Sequence, residues 1–166
     1  MKNRGFVLNS GFTLIEVMIV VAIIALVVLV TAPLSGHWVT DANRLEAEGQ
    51  LNQAVGRAKA SALRNYMGAT GNTAVTAICL SNDNVLTVLE GTPGTPAVSP
   101  DCTTGTGTQL WRGKLHANIT VQADAADFSC MCFDNRATPT SSCNTCSTST
   151  KFSLTAGGET EPVAVY

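Results

Sequence analysis

The alternation of apolar and polar positions divides this chain in two. From Phe12 to Ala32 nearly every side chain is apolar, and Glu16 is the single charge. As a helix that stretch spans roughly 30 Å, about one bilayer hydrocarbon core. Beyond it the apolar positions thin out to helical spacing. Trp38, Ala42 and Leu45 fall at i, i+4, i+7, and Leu51, Val55, Ala58, Ala62 and Tyr66 continue at spacings of three and four. Arg44, Glu46, Glu48, Arg57, Lys59 and Arg64 mostly occupy other faces. The spacing predicts an amphipathic helix with one stripe packed on a sheet, stopping at Gly68 or Gly71. Pro33 lacks an N–H and crowds the carbonyl of Leu29, and Gly36 weakens the helix further. A kink, or a break where the chain leaves the bilayer, is expected there.

From Thr73 the helical period fades. Ala74–Leu80, Val85–Leu89, Asn118–Gln122, Phe128–Phe133, Phe152–Leu154 and Val163–Tyr166 read as short strands. Gly91–Pro100 and Thr103–Thr108 read as flexible loops by composition. The expected fold class is α+β: a long N-terminal helix, its first half transmembrane, packed against a mainly antiparallel β-sheet.

Composition sharpens this picture. Of the 166 residues only 13% are charged, and the formal net charge is −2. That balance excludes a nucleic-acid binder built on a basic surface. Lys2 and Arg4 precede the apolar run, and no acidic residue occurs before Glu16. The positive-inside rule then keeps the N-terminus cytoplasmic and sends the remainder outward. An ordinary signal peptide fits poorly, because the apolar core is too long and Ala32-Pro33-Leu34-Ser35-Gly36 follows it. A plain anchor leaves Glu16 unexplained. A carboxylate at the bilayer centre costs roughly 2.5–3.5 kcal/mol, less near the end of the span.

Read together, Gly11-Phe12-Thr13-Leu14-Ile15-Glu16, the short basic leader and the long apolar run resemble the processing site of type IV prepilins. The resemblance implies cleavage between Gly11 and Phe12 by a prepilin peptidase, N-methylation of Phe12, and retention of the apolar helix in the mature chain. Without Lys2 and Arg4 the remaining 8 basic and 12 acidic side chains give a formal −4. The resemblance also assigns assembly roles to Glu16 and Pro33. Glu16 would offset the new amino terminus of a neighbouring subunit, since opposite charges attract strongly in an apolar setting despite their desolvation cost. More loosely, Ala77-Ile78-Cys79-Leu80-Ser81-Asn82-Asp83, Cys102, Leu110-Trp111-Arg112-Gly113 and Cys130–Arg136 resemble the GspH/FimT group of minor pilins and pseudopilins, FimU-type minor pilins above all.

All six cysteines, Cys79, Cys102, Cys130, Cys132, Cys143 and Cys146, lie beyond the apolar run. An even count outside a membrane suggests disulfides in an oxidising compartment. Cys79 with Cys102 would close the loop holding the proline-rich segment, and the other four would pair among themselves. Two alternatives stand beside this one. Cys143-Asn144-Thr145-Cys146 has the spacing of a redox C-x-x-C, and Cys130, Cys132, Cys143 and Cys146 could hold zinc. The first lacks a following helix to activate a thiol, and the second needs reduced sulfur. No metal and no cofactor is therefore expected.

Catalysis leaves no trace in the pattern. His37 and His116 have no evident partner, and no phosphate-binding loop, nucleophile elbow or zinc-protease helix occurs. Asp83, Asp101, Asp124, Asp127 and Asp134 are scattered, with no spacing that demands calcium. The sequence predicts no enzyme. It predicts four segments: a leader, 1–11; a transmembrane and filament-core helix, 12–35; an amphipathic helix half, 36–68; and a disulfide-stapled β-rich domain, 69–166. By resemblance this is a minor pilin near the tip of a type IV pilus, supporting twitching motility, adhesion or DNA uptake. Its partners would be other major and minor pilins through the N-terminal helix, the prepilin peptidase/methyltransferase, and inner-membrane lipid before assembly. It would lie in the inner membrane with a periplasmic C-terminal domain, then on the cell surface. A GspH-type pseudopilin of a type II secretion system is the alternative. A DNA-binding competence pilin and an anchored redox enzyme stand behind it, the former disfavoured because phosphate contacts dominate such affinity.

Overall fold

Helix α1 forms where the sequence is most apolar, at Leu14–Thr31. A computed structural model describes residues 12–31, 34–143 and 146–165. The 1–11 leader, with Gly11, lies outside the described residues, as do Pro33, Tyr166 and the side chain of His37. The chain divides at Thr40 into two units, taken separately here.

In the first unit α1 buries none of its residues. It is long and apolar enough to cross a membrane. At its end the Thr31 hydroxyl donates to the carbonyl of Val27 at 3.0 Å. This pairs a polar group that hydrocarbon would otherwise penalise.

Helix α2 spans Leu34–Arg64. From Thr40 onward it lies in the second unit, where its buried line is Ala47, Leu51, Ala54, Val55, Ala58 and Ala62. Four of these six are alanines, so the helix backbone can approach the sheets closely. The predicted stripe is partly corrected. Leu51, Val55, Ala58 and Ala62 are buried, but Trp38, Ala42, Leu45 and Tyr66 are exposed. Helical spacing gives a face its period and does not say which face meets the core. The predicted stop is corrected too. Asn65, with φ 47°, ends the helix. Its side chain accepts from the Ala69 N–H and donates to the Ala69 carbonyl, each at 2.9 Å. Asparagine tolerates the left-handed conformation that a helix C-cap needs.

Nine strands follow among the described residues: β1 Thr76–Leu80, β2 Val85–Glu90, β3 Thr108–Lys114, β4 Ile119–Ala123, β5 Ala126–Asp127, β6 Cys130–Phe133, β7 Pro139–Thr140, β8 Phe152–Ala156 and β9 Glu159–Val163. They form two antiparallel sheets, not the one expected. A five-stranded sheet runs β3-β2-β1-β6-β7, and a four-stranded sheet runs β5-β4-β8-β9. Strand β3 is an addition. Thr108, read as loop, begins it, and it pairs with β2 through a register shift at Val88/Leu89. The last strand was displaced in the reading. Chain 159–163, not 163–166, pairs with β8, joined by Gly157 and Gly158 at φ 60° and 90°. Two positive-φ residues in a two-residue hairpin loop match the strand twist, and glycine adopts them without strain.

The inner faces of both sheets and α2 share one core. Ile78, Leu86, Val88, Met131 and Phe133 of the first sheet meet Ile119, Val121, Phe152, Leu154 and Ala156 of the second and the alanine line of the helix. Each fully buried Leu, Ile, Val, Phe or Met side chain contributes about 1.5–3 kcal/mol. The Phe128 and Phe152 rings pack edge to face at 5.3 Å. Thr76 reaches up to the helix and donates to the Ala58 carbonyl at 3.1 Å, and the Ser61 hydroxyl donates to the Glu90 carboxylate. The architecture is α+β, consistent with the pilin fold.

Candidate functional site

The first candidate site is the N-terminal end of α1. Thr13 caps it. Its carbonyl accepts from the N–H groups of Glu16 at 3.1 Å and Val17 at 3.3 Å, and its hydroxyl also accepts from Glu16 N–H at 3.3 Å. Threonine followed three residues later by glutamate is a capping-box pattern, a signal in the sequence that the reading above passed over. It places Glu16 in the first turn, where the helix dipole favours a carboxylate. Phe12 is 83% exposed and Leu14 79%. The end of the helix thus offers one carboxylate among bare apolar side chains. Of the predicted processing residues, Phe12 and Glu16 are described.

The second candidate is the outer face of the five-stranded sheet. Alternation along β1 sends Ile78 into the core and Ala77 and Cys79 to the other side, and β6 likewise turns Met131 inward and Cys130 and Cys132 outward. Cys79 stands opposite Cys130 across the β1–β6 pair, and Ala77 opposite Cys132. Three disulfides cover this face: Cys79–Cys102, Cys130–Cys146 and Cys132–Cys143, with Cα–Cα distances of 5.4, 4.7 and 6.2 Å. The two cysteines of the C-x-x-C are therefore bonded to different partners in β6 and not to each other. No cysteine is free. The Sγ atoms of Cys102, Cys130 and Cys146 lie within 4.8 Å of one another, and so do those of Cys132, Cys143 and Cys146. As bonded disulfides they offer no thiolate to a metal. Beside them opens a cavity of about 480 Å³ whose lining includes Thr87, Leu89, Gln109, Ser129 and the Cys79–Cys102 bridge. That six sulfurs would meet on one face was not legible from spacing, because Cys102 lies in a loop far along the chain from β6.

Two single residues complete the survey. Asp134 is 2% exposed. Its carboxylate accepts from Arg136 Nη2 at 2.7 Å and Nε at 3.0 Å, and from the backbone N–H groups of Arg136 and Thr138 at 2.9 and 3.0 Å. Burial pushes this carboxyl up, but the bonds from Arg136 and Thr138 and the guanidinium charge outweigh it and hold the pKa below the ordinary value. This aspartate is already saturated with donors and is committed to a turn. His116, read as partnerless, lies 4.0 Å from a Glu46 carboxylate oxygen.

Of the loosely matching residues, Ala77–Asp83, Cys102, Leu110–Gly113 and Cys130–Arg136, those at 77–80, 110–113 and 130–133 fall on β1, β3 and β6 of one sheet, and the rest lie in the loops beyond. No curated protein and no solved structure matches the chain. Residues 8–32 match the family described as the prokaryotic N-terminal methylation motif. That match spans Gly11, Phe12, Glu16 and all of α1. Processing by a prepilin peptidase and assembly with other pilins follow from such a motif, and with the helix and fold above it supports a type IV pilin-like or pseudopilin-like protein.

Proposed function

We propose that this chain is a minor pilin of a bacterial type IV pilus, placed near the tip, where it helps start assembly. The observation that carries the proposal is the methylation motif at 8–32 fused to a helix whose apolar side chains are all exposed. A soluble subunit would not leave that surface uncovered. Lipid covers it before assembly, and the helices of neighbouring pilins cover it afterwards. The β-rich unit then faces outward, where an oxidising exterior keeps its disulfides formed. The chain acts as a structural subunit; energy for assembly comes from elsewhere in the machine.

A second surface supports the filament reading. On the side of α2 away from the core, Leu45, Gly49, Asn52, Gly56, Ala60 and Leu63 form a line without charge. Leu45 and Leu63 are each 63% exposed. A Cβ added at Gly49 or Gly56 would meet nothing within 4 Å. Mid-helix glycine costs about 1 kcal/mol relative to alanine, and no neighbour among the described residues accounts for two of them. Close approach by a neighbouring pilin's helix does.

Intact mass of the membrane-extracted protein tests the processing. Loss of residues 1–11, one added methyl and six fewer hydrogen atoms than the fully reduced chain are expected together. A mass corresponding to an uncut chain would end the pilin reading. Glu16→Ala is expected to stay in the membrane fraction and to drop out of sheared filaments. A deletion that abolishes enzyme secretion while sparing twitching would assign the chain to a type II secretion pseudopilus instead.

A further inference from the structure

The three disulfides are closer to one another than protein bridges need to be. Cys102 Sγ lies within 4.8 Å of both sulfurs of Cys130–Cys146. Cys146 Sγ in turn lies 3.9 Å from Cys132 Sγ and within 4.8 Å of Cys143 Sγ. Every bridge therefore has a sulfur of the next bridge as its neighbour. Cys79, Cys102, Cys143 and Cys146 are half-buried, and Cys130 and Cys132 are buried. The connectivity is nested, with Cys132–Cys143 inside Cys130–Cys146.

We propose that the six cysteines form an intramolecular thiol–disulfide relay, in which opening the Cys79–Cys102 bridge delivers a thiolate to Cys143 at the far end. Disulfide exchange needs only a thiolate, a disulfide sulfur within reach and no net redox change. An external monothiol, as its thiolate RS⁻, attacks Cys79 Sγ. A mixed disulfide RS–Cys79 forms and Cys102 leaves as a thiolate. Cys102 attacks Cys130 Sγ; the Cys102–Cys130 bond forms, the Cys130–Cys146 bond breaks, and Cys146 takes the charge. Cys146 attacks Cys132 Sγ; Cys132–Cys146 forms, Cys132–Cys143 breaks, and Cys143 holds the thiolate or, after protonation, the thiol. The monothiol is consumed once, and each later step exchanges one S–S bond for another. In the reverse direction the Cys143 thiolate attacks Cys132 and frees Cys146, Cys146 attacks Cys130 and frees Cys102, and Cys102 attacks Cys79 of the mixed disulfide, which releases the monothiol and restores the nested pairing.

The test uses the full-length chain in detergent. Cys79→Ser leaves Cys102 without its partner. After incubation at pH 8.5, where thiols are substantially ionised, the sample is quenched with N-ethylmaleimide and its peptides are mapped. The relay predicts loss of most of the label from Cys102 and its appearance on Cys143 and Cys146, with Cys102–Cys130 and Cys132–Cys146 peptides. The redistribution should not depend on protein concentration. Label confined to Cys102 with both other bridges intact would overturn the proposal, and so would exchange that scales with concentration. Wild-type chain given less than one equivalent of glutathione guards against misfolding of the variant. It should yield the same crossed peptides, and only native pairs plus a glutathione adduct at Cys79 or Cys102 would count against the relay. Cys79→Ser/Cys102→Ser has no thiol to start exchange and should keep both remaining bridges unchanged.

Discussion

Asp134 shows how one buried residue organises a turn. Four hydrogen bonds end on its two oxygens, two from the Arg136 side chain and two from backbone N–H groups. Asn in its place keeps the size and loses the charge, so it leaves the guanidinium without a carboxylate, bonded to Asn72 Oδ1, and turns one acceptor into a donor facing donors. Asp134→Asn should therefore destabilise the fold by about 1–3 kcal/mol. The sign with pH follows from the depressed pKa. The folded state binds the proton less readily than the unfolded chain, so this stabilisation is complete above the ordinary carboxylate range. It disappears as pH falls through the folded value. Urea titrations from pH 7 downward should show the wild-type and variant curves converging in acid. A constant gap at every pH would mean the carboxylate charge is not the cause.

At the scale of elements, α2 carries two stripes with the same helical period and opposite fates. One is lined with alanines against the sheets, and Ala58 and Ala62 are fully buried. Ala58→Leu should cost about 1–3 kcal/mol, because the sheet cannot retreat. The other stripe, from Leu45 to Leu63, faces open space. Gly56→Ala should stabilise the isolated subunit by about 0.5–1 kcal/mol. Thermal unfolding of detergent-solubilised protein measures both. Gly56→Lys should leave the subunit folded and reduce its recovery in sheared filaments; undiminished recovery would remove this stripe from the assembly surface. Period alone located this helix from the sequence. It found Leu51, Val55, Ala58 and Ala62 on the buried face, but period alone also drew in Trp38 and Leu45, which are exposed. Strands fared similarly. Cys130–Phe133 was legible because both its faces are covered, one by the core and one by sulfur. Glu159–Val163 was missed because four of its five residues are exposed and polar or proline. The Gly157-Gly158 turn beside it was the stronger signal.

For the whole molecule, the motif, the apolar helix and the fold class were readable from local pattern. The meeting of three disulfides was not, because it depends on where Cys102 lands against β6. That meeting also decides how the bridges share the work of stabilising the fold. Closures of 23, 16 and 11 residues are each worth about 3 kcal/mol when taken singly, since the cost of loop closure grows only with the logarithm of length. The two shorter ones are nested, however. Once Cys132–Cys143 is closed, the segment left for Cys130–Cys146 to constrain is far shorter, and the second closure contributes about 2 kcal/mol. Cys79–Cys102 encloses a separate stretch of chain and keeps its full effect. Removing either nested pair alone leaves the other still constraining the same segment, so replacing both by alanine should cost about 1 kcal/mol more than the sum of the two pairwise replacements. Replacing Cys79–Cys102 with either nested pair should come close to additive. Denaturant midpoints of the three double and three quadruple variants measure this, in non-reducing buffer. Strict additivity of the nested pairs would mean that these bridges act through native packing on the sheet face and not through the freedom of the unfolded chain.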